Sequence, residues 1–228
     1  GKDNTRFQGA MWQAMLMAAD LPNSSHIIIN GFITGADGQK MSKSLGNGVS
    51  PFDVLDIYKE VTDYPEDVLR FALLHDLSSF EDGGMSLDTI KVSYQANLQN
   101  GIGNLTNRIM KMATAYGVVS MITEEKIISI RNNSQIIADD INNFNLSKAV
   151  QSVMSNVRDI DFLIQKQEPF KLIKIDEVTA KDYVKNYLDL LLNISIDLEI
   201  LLPSTSAKIL ECIRENKMPE KPLFNRFV

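Results

Sequence analysis

Apolar positions along the first part of this chain follow two different rhythms. Between residues 7 and 19, Phe7, Met11, Met15 and Ala18 fall at helical spacing, with Trp12 and Leu16 beside them, and Leu21-Pro22-Asn23 closes the segment. The run Ile27-Ile28-Ile29-Asn30-Gly31-Phe32-Ile33 is nearly continuous in apolar character and reads as a buried strand over 27–33. A polar loop framed by glycines at 35, 38, 46 and 48 follows. Ser50 suits an N-cap and Pro51 the first position of a short helix over 52–60. Tyr64-Pro65-Glu66-Asp67 opens another helix, which carries Leu69, Phe71, Ala72 and Leu73. The stretch from Ser78 to Met85 is polar and contains glycine, as a loop and domain boundary would.

From Ser86 onward the pattern is helical almost throughout, with Ser86 as the expected N-cap. Breaks fall near Tyr116-Gly117, Arg131-Asn132-Asn133-Ser134, Glu168-Pro169 and Leu202-Pro203-Ser204, which predicts about five helices in an antiparallel bundle. Over Asn100 to Tyr116, Ile102, Leu105, Ile109 and Met112 share one stripe, and Asn104, Arg108 and Lys111 share another. The apolar stripe faces a core. An amide, a guanidinium and an ammonium in a row can read base edges and hold phosphates, although most polar helix faces are simply solvated.

Composition narrows the classes. The chain has 228 residues, 44% apolar and 23% charged, enough for one large or two small domains. A single cysteine, Cys212, excludes an internal disulfide framework and a multi-cysteine zinc site, fits a reducing cytosol, and at its helical spacing reads as a core residue. The first residues lack the apolar segment of a signal peptide, and no run is long enough to cross a bilayer, so a cytoplasmic protein without a membrane partner is expected. The net charge of −6 weighs against a wholly basic nucleic-acid-binding surface and leaves local patches and shape. Residue 1 is not methionine, and one convincing strand cannot make a doubly wound sheet, so the chain is expected to be a fragment.

The chemistry concentrates in Lys40-Met41-Ser42-Lys43-Ser44, between the predicted strand and the next helix. Two compact ammonium groups three residues apart, with hydroxyls and loop amides as donors, suit a polyphosphate at the carboxyl edge of a sheet. Taken alone, such a pentamer is as easily a solvated basic loop. With its flanks, Gly38-Gln39 and Leu45-Gly46-Asn47, it resembles the second signature loop of the class I aminoacyl-tRNA synthetases. Gly103-Asn104-Leu105-Thr106-Asn107-Arg108 is similar to the segment that opens the anticodon-binding bundle of the methionyl-tRNA synthetases. Gly1-Lys2-Asp3-Asn4 through Phe7 and Trp12, Asp67-Val68-Leu69-Arg70-Phe71, Glu81-Asp82-Gly83, Leu202 to Ile209 and Lys221-Pro222-Leu223-Phe224 (a return strand or tail) extend the likeness over essentially the whole chain.

The resemblance implies a mainly α protein: the C-terminal part of a Rossmann-type α/β catalytic domain over 1–85, then an all-α anticodon-binding helix bundle over 86–228. It implies ATP, with Mg2+ accompanying it, and methionine and tRNA as substrates, with no zinc in this segment. By position match, Lys40 and Lys43 are catalytic, and Asp3, Ile33, Lys40, Met41, Ser42, Lys43 and Ser44 bind ATP. Phe7, Gln8 and Trp12 line the methionine pocket, where Gln8 replaces the family's histidine; core packing is the alternative for Phe7 and Trp12. Asn104, Arg108 and Phe170 contact the anticodon. Phe170 replaces a tryptophan and either stacks on a base or plugs the bundle behind Pro169. The only histidines, His26 and His75, sit outside any first-signature context, so the chain alone is expected not to form methionyl-adenylate. The segment Lys59 to Pro65 is longer than the family's usual turn. A valine, isoleucine, leucine or cysteine enzyme sharing the lysine loop, a non-catalytic tRNA-binding module, and a purely structural bundle remain as alternatives.

Overall fold

The computed structural model describes residues 1–35, 38, 39, 41 and 48–227. Most of these are helical, with one small sheet. Wide turns at Phe7–Met11 run into α1 (Trp12–Ala18). β1 (Ile33–Thr34) precedes α2 (Pro51–Tyr58) and α3 (Pro65–His75), and β2 (Gly83–Gly84) lies parallel to β1 in register Ile33 to Gly83. Eight helices follow: α4 (Leu87–Ser93), α5 (Asn104–Tyr116), α6 (Glu124–Asn133), α7 (Gln135–Asn142), α8 (Leu146–Gln167), α9 (Pro169–Leu172), α10 (Glu177–Leu201) and α11 (Pro203–Glu215).

The expected punctuation largely appears. Ser86 caps α4 reciprocally: its Oγ accepts from the Thr89 N–H at 3.1 Å, and Thr89 Oγ1 accepts from the Ser86 N–H at 2.9 Å. α4 and α5 are joined through the wide-turned segment Tyr94–Gly103, where Gly101 leaves helical geometry, and α5 ends on Gly117 at φ 64°. Pro169 and Pro203 each stand at the first position of a new helix. The bundle nevertheless has more helices than the five expected. α7 and α8 are separated by a turn in which Phe144 takes φ 60°, a break with neither glycine nor proline to announce it.

Long α10 is the hub, touching α3, α5, α6, α8, α9 and α11. Its buried Val184, Tyr187, Leu188, Leu191 and Leu192 belong to one hydrophobic cluster that runs from Val54 and Phe71 to Leu223 and Phe224. α3 locks the α10–α11 corner. Asp67 Oδ2 accepts from the Thr205 N–H (2.6 Å) and from Thr205 Oγ1 (2.7 Å) in the first turn of α11. One helical turn on, Arg70 donates to the carbonyls of Leu201 and Ile200, both at 2.9 Å, at the end of α10. A carboxylate on a helix N-terminus and a guanidinium on a helix C-terminus each complement the macrodipole.

One expected element differs, and one open choice is decided. Residues 27–33 do not form a buried strand: Ile27, Ile28 and Ile29 are 42%, 46% and 37% exposed, and only Ile33–Thr34 pairs. A strand is buried on both faces only when layers cover both, and the described residues supply one short neighbour. Of the two readings of Lys221 to Phe224, the structure has the tail and not the return strand. Thr62 Oγ1 donates to the Leu223 carbonyl (2.7 Å), the Asn225 N–H to the Val61 carbonyl (2.9 Å), and Tyr94 Oη to the Asn225 carbonyl (2.7 Å). The Lys59–Pro65 turn is the tail's landing place, and Phe224 approaches so closely that a Cβ on Gly103 would stand 3.2 Å from its ring.

Candidate nucleotide and nucleic-acid interface

Three segments distant in sequence meet at the sheet edge. The Lys2 N–H donates to the Asn30 carbonyl (3.2 Å), and Lys2 Nζ reaches Asp82 Oδ2 (2.5 Å) from 4.9 Å above the Phe32 ring. The other Asp82 oxygen accepts from the Phe32 N–H at 2.8 Å. Lys2 first, then that amide, hold the Asp82 carboxyl below the usual carboxylate range. The fit needs glycine at 31, where a Cβ would lie 2.0 Å from the Glu81 carbonyl oxygen.

Around this edge, Asp3 is exposed on the short turn Lys2–Asn4, and Ile33 is exposed in β1. Phe7 and Trp12 are 54% and 47% exposed, so the core-packing alternative does not hold for either among the described residues. Gln8 is exposed, and its carbonyl accepts from Gln13 Nε2 at 3.0 Å. Gly38, at φ 74°, closes a turn in which the Gly35 N–H reaches the Gln39 carbonyl at 2.8 Å, immediately before the lysine pentamer. Lys40, Ser42, Lys43 and Ser44 lie outside the described residues. Met41 is partly buried and packs against the hydrophobic cluster.

The second face lies on α5. Ile102, Leu105, Ile109 and Met112 are buried as the periodicity predicts; Asn104 and Lys111 are exposed. Arg108 is held: its guanidinium pairs with Asp161 on α8, and the second Asp161 oxygen accepts from Gln165 Nε2 at 2.6 Å. On the next turn Gln167 accepts from Tyr187 Oη, a phenol pushed up to about 12 by burial. Glu168, at φ 44°, then turns the chain into α9, where Pro169 is buried and Phe170 is 45% exposed. Pro169 therefore fills the bundle and Phe170 presents its ring to solvent, against the plug reading of Phe170. The pairing of α5 with Asp161 and Gln165 was not foreseen; the only hint in the chain is their i, i+4 spacing. Equally unforeseen is the tail as a wall. A cleft of about 600 Å3 between it and α5 is lined by Asn100, Asn104, Asn107, Asn225 and Arg226. A smaller one of about 320 Å3 continues past Arg108 and Lys111.

Comparison with known proteins bears on both faces. Residues 1–110 match the family model described as tRNA synthetases class I (M). Methionine–tRNA ligase of Helicobacter pylori strain J99 is 32% identical over 236 aligned positions that take in the whole chain. The chain belongs to the methionyl-tRNA synthetase family. The ligase of Rhizobium meliloti is 28% identical across 93% of the chain, and that of Thermosynechococcus vestitus 42% identical across 51%. The chain spans 34%, 42% and 21% of those three relatives, well under half of each. The fold is that of Mycobacterium tuberculosis methionyl-tRNA synthetase in complex with methionyl-adenylate: TM-score 0.77 at 21% identity, covering 99% of this chain and 49% of that one. Family membership decides among the class I alternatives that share the lysine loop. No helix among the described residues is long and apolar enough to cross a membrane, and no group of three His, Cys, Asp or Glu among them is placed to hold a metal.

Proposed function

We propose that this chain is the part of a methionine–tRNA ligase that closes over ATP and reads the anticodon. The observation that carries the reading is the α5–α8 junction. The Arg108–Asp161 pair and Gln165 bind the polar stripe of α5 to the end of α8, two residues after which buried Pro169 precedes the exposed ring of Phe170. An amide, an oriented guanidinium and a π-face at one end of a bundle suit splayed single-stranded bases better than a duplex. With a net charge of −6, base edges and stacking carry more of the affinity than phosphate neutralisation does.

In the first half, the reading assigns Asp3 to the ribose hydroxyls and Phe7, Gln8 and Trp12 to methionine, whose thioether packs well against aromatic edges. The methionine carboxylate attacks the α-phosphate of ATP and pyrophosphate leaves; the acyl group of the resulting methionyl-adenylate then passes to the terminal adenosine of the tRNA, with AMP as the leaving group. Displacement of this kind depends on positioning and charge neutralisation more than on covalent help. Lys40 and Lys43 take that work, stabilising the negative charge that develops on the leaving pyrophosphate. Mg2+ belongs with the ATP phosphates, as that ion usually does. The described residues support a rigid rim for the site: Lys2, Phe32 and Asp82 tie the Gly-Lys-Asp segment to β1 and β2. Domain limits at 1–85 and 86–228 belong to the same proposal.

The test is titration of the full chain with the anticodon stem-loop of methionine tRNA and with stem-loops carrying one changed anticodon base. The reading expects weakening with each changed base it contacts; equal affinity for all of them would reject it.

A further inference from the structure

A second concavity has no part in the reading above. It opens between the end of α6, the start of α7, the middle of α8 and the end of α10, with a volume of about 480 Å3. Its lining is hydroxyl and amide: Ser134, Ser152 and Ser155, with Asn133, Asn156 and Asn193. Ile130 and Ile137 form an apolar patch, and Asp197 is the only charged residue lining it among the described residues. The serines and Asn156 recur at i, i+3 and i+4 on α8, and Asn193 and Asp197 at i and i+4 on α10, so both helices turn polar faces to the same space.

Among the described residues Asp197 stands here without a counter-ion. It accepts a hydrogen bond from the Ser134 hydroxyl, which donates to Oδ1 at 2.5 Å. The nearest arginine along α6, Arg131, is committed to Glu199 through Nη2 and Nε, at 2.7 Å and 3.2 Å from one carboxylate oxygen. Burial pushes the Asp197 carboxyl up, the sign of a group that lacks a cation. A carboxylate set in a concave, amide-rimmed site gains from any ligand that brings positive charge and N–H donors together.

We propose that this cavity binds a small organic ammonium, a primary amine on a short aliphatic stem such as a diamine. An ammonium has three donors and no acceptor. Asp197 Oδ2, the lone pairs of Ser134 and an asparagine carbonyl satisfy them, and Ile130 and Ile137 cover the methylene stem. A bare metal ion fits less well, because it needs several hard oxygen ligands closed tightly around it and the volume of this open concavity far exceeds an ion's, whereas the second ammonium of a diamine stays at the mouth in water. An amino acid fits less well too, because no cation among the described residues lines the cavity to receive its carboxylate. The site lies on α6, α7, α8 and α10, away from Asn104, and the proposal does not depend on the tRNA reading.

The probe is 1,4-diaminobutane, titrated calorimetrically into the full chain at fixed ionic strength, with 1,4-butanediol and MgCl2 as comparisons. Saturable binding of the diamine is expected, with none from the diol or from MgCl2. Asp197→Asn keeps an acceptor for Ser134 and is expected to weaken binding by about tenfold or more. Ser155→Leu, which fills the space with the carboxylate untouched, is expected to abolish binding, and circular dichroism verifies that both variants are folded. Equal heats from diol and diamine, diamine affinity unchanged in folded Asp197→Asn, or no saturable heat at all would overturn the proposal.

Discussion

Replacing Arg108 by alanine separates the two roles that the α5–α8 junction combines. Arg108 and Asp161 side chains are 29% and 31% exposed, so their ion pair is screened and contributes about 0.2–1 kcal/mol to stability. A guanidinium that also contacts a base edge carries about 1–3 kcal/mol of binding, or about 5- to 150-fold in affinity. Arg108→Ala should therefore lower the urea midpoint slightly at unchanged slope and weaken the methionine anticodon stem-loop by a factor within that range. The control is Asp161→Asn, which removes the same ion pair and keeps the guanidinium; its stem-loop affinity should stay within about threefold of the parent. Fluorescence anisotropy at fixed salt reads the affinities, and urea unfolding reads the stability. Equal loss of affinity in the two variants would mean that Arg108 only fastens α5 to α8. No loss in either would remove this face from recognition.

Other consequences follow from the same geometry. Asp67→Ala strips both bonds to Thr205 from a buried corner and should cost about 3 kcal/mol in urea unfolding, with Thr205→Val non-additive to it. Burial raises the Asp67 carboxyl above its ordinary value, so between the two values the folded chain holds a proton that the unfolded chain has released. Stability should then fall as pH rises through that window and level off above it, and Asp67→Asn should flatten the slope in a pH series of urea melts. Phe170→Trp should bind the stem-loop at least as well as the parent, whereas Phe170→Ala should lose about 1–3 kcal/mol of binding with little change in stability, since the ring is 45% exposed. Ser86→Ala removes half of a reciprocal cap and should cost about 0.5–2 kcal/mol in the same unfolding assay.

What the chain disclosed beforehand was local. Ser86, Gly117, Pro169 and Pro203 end or begin helices through their own backbone preferences, and the α5 stripes follow from a single helix's period. What it withheld depends on distant partners. Ile27 to Ile29 have the composition of a buried strand, but burial needs neighbours that composition cannot supply. Asp67 and Arg70 could be seen as a family motif, yet their work at the ends of α11 and α10 appears only once the corner is folded. Phe144 breaks a helix without glycine or proline, in a left-handed turn closed by the Asn145 N–H on the Asp140 carbonyl rather than announced by residue type. At the candidate site, exposure of Asn104 was legible, whereas the Asp161 partner of Arg108 and the tail wall beside Asn104 are products of tertiary contact.

Photo-crosslinking tests the central claim most directly. Methionine tRNA carrying a photoreactive base at each anticodon position in turn is irradiated with the full chain, and the attached peptides are identified by mass spectrometry. The account predicts attachment within 100–111 and 167–172. Attachment confined to α6, α11 or the sheet edge around Asp82 would contradict it.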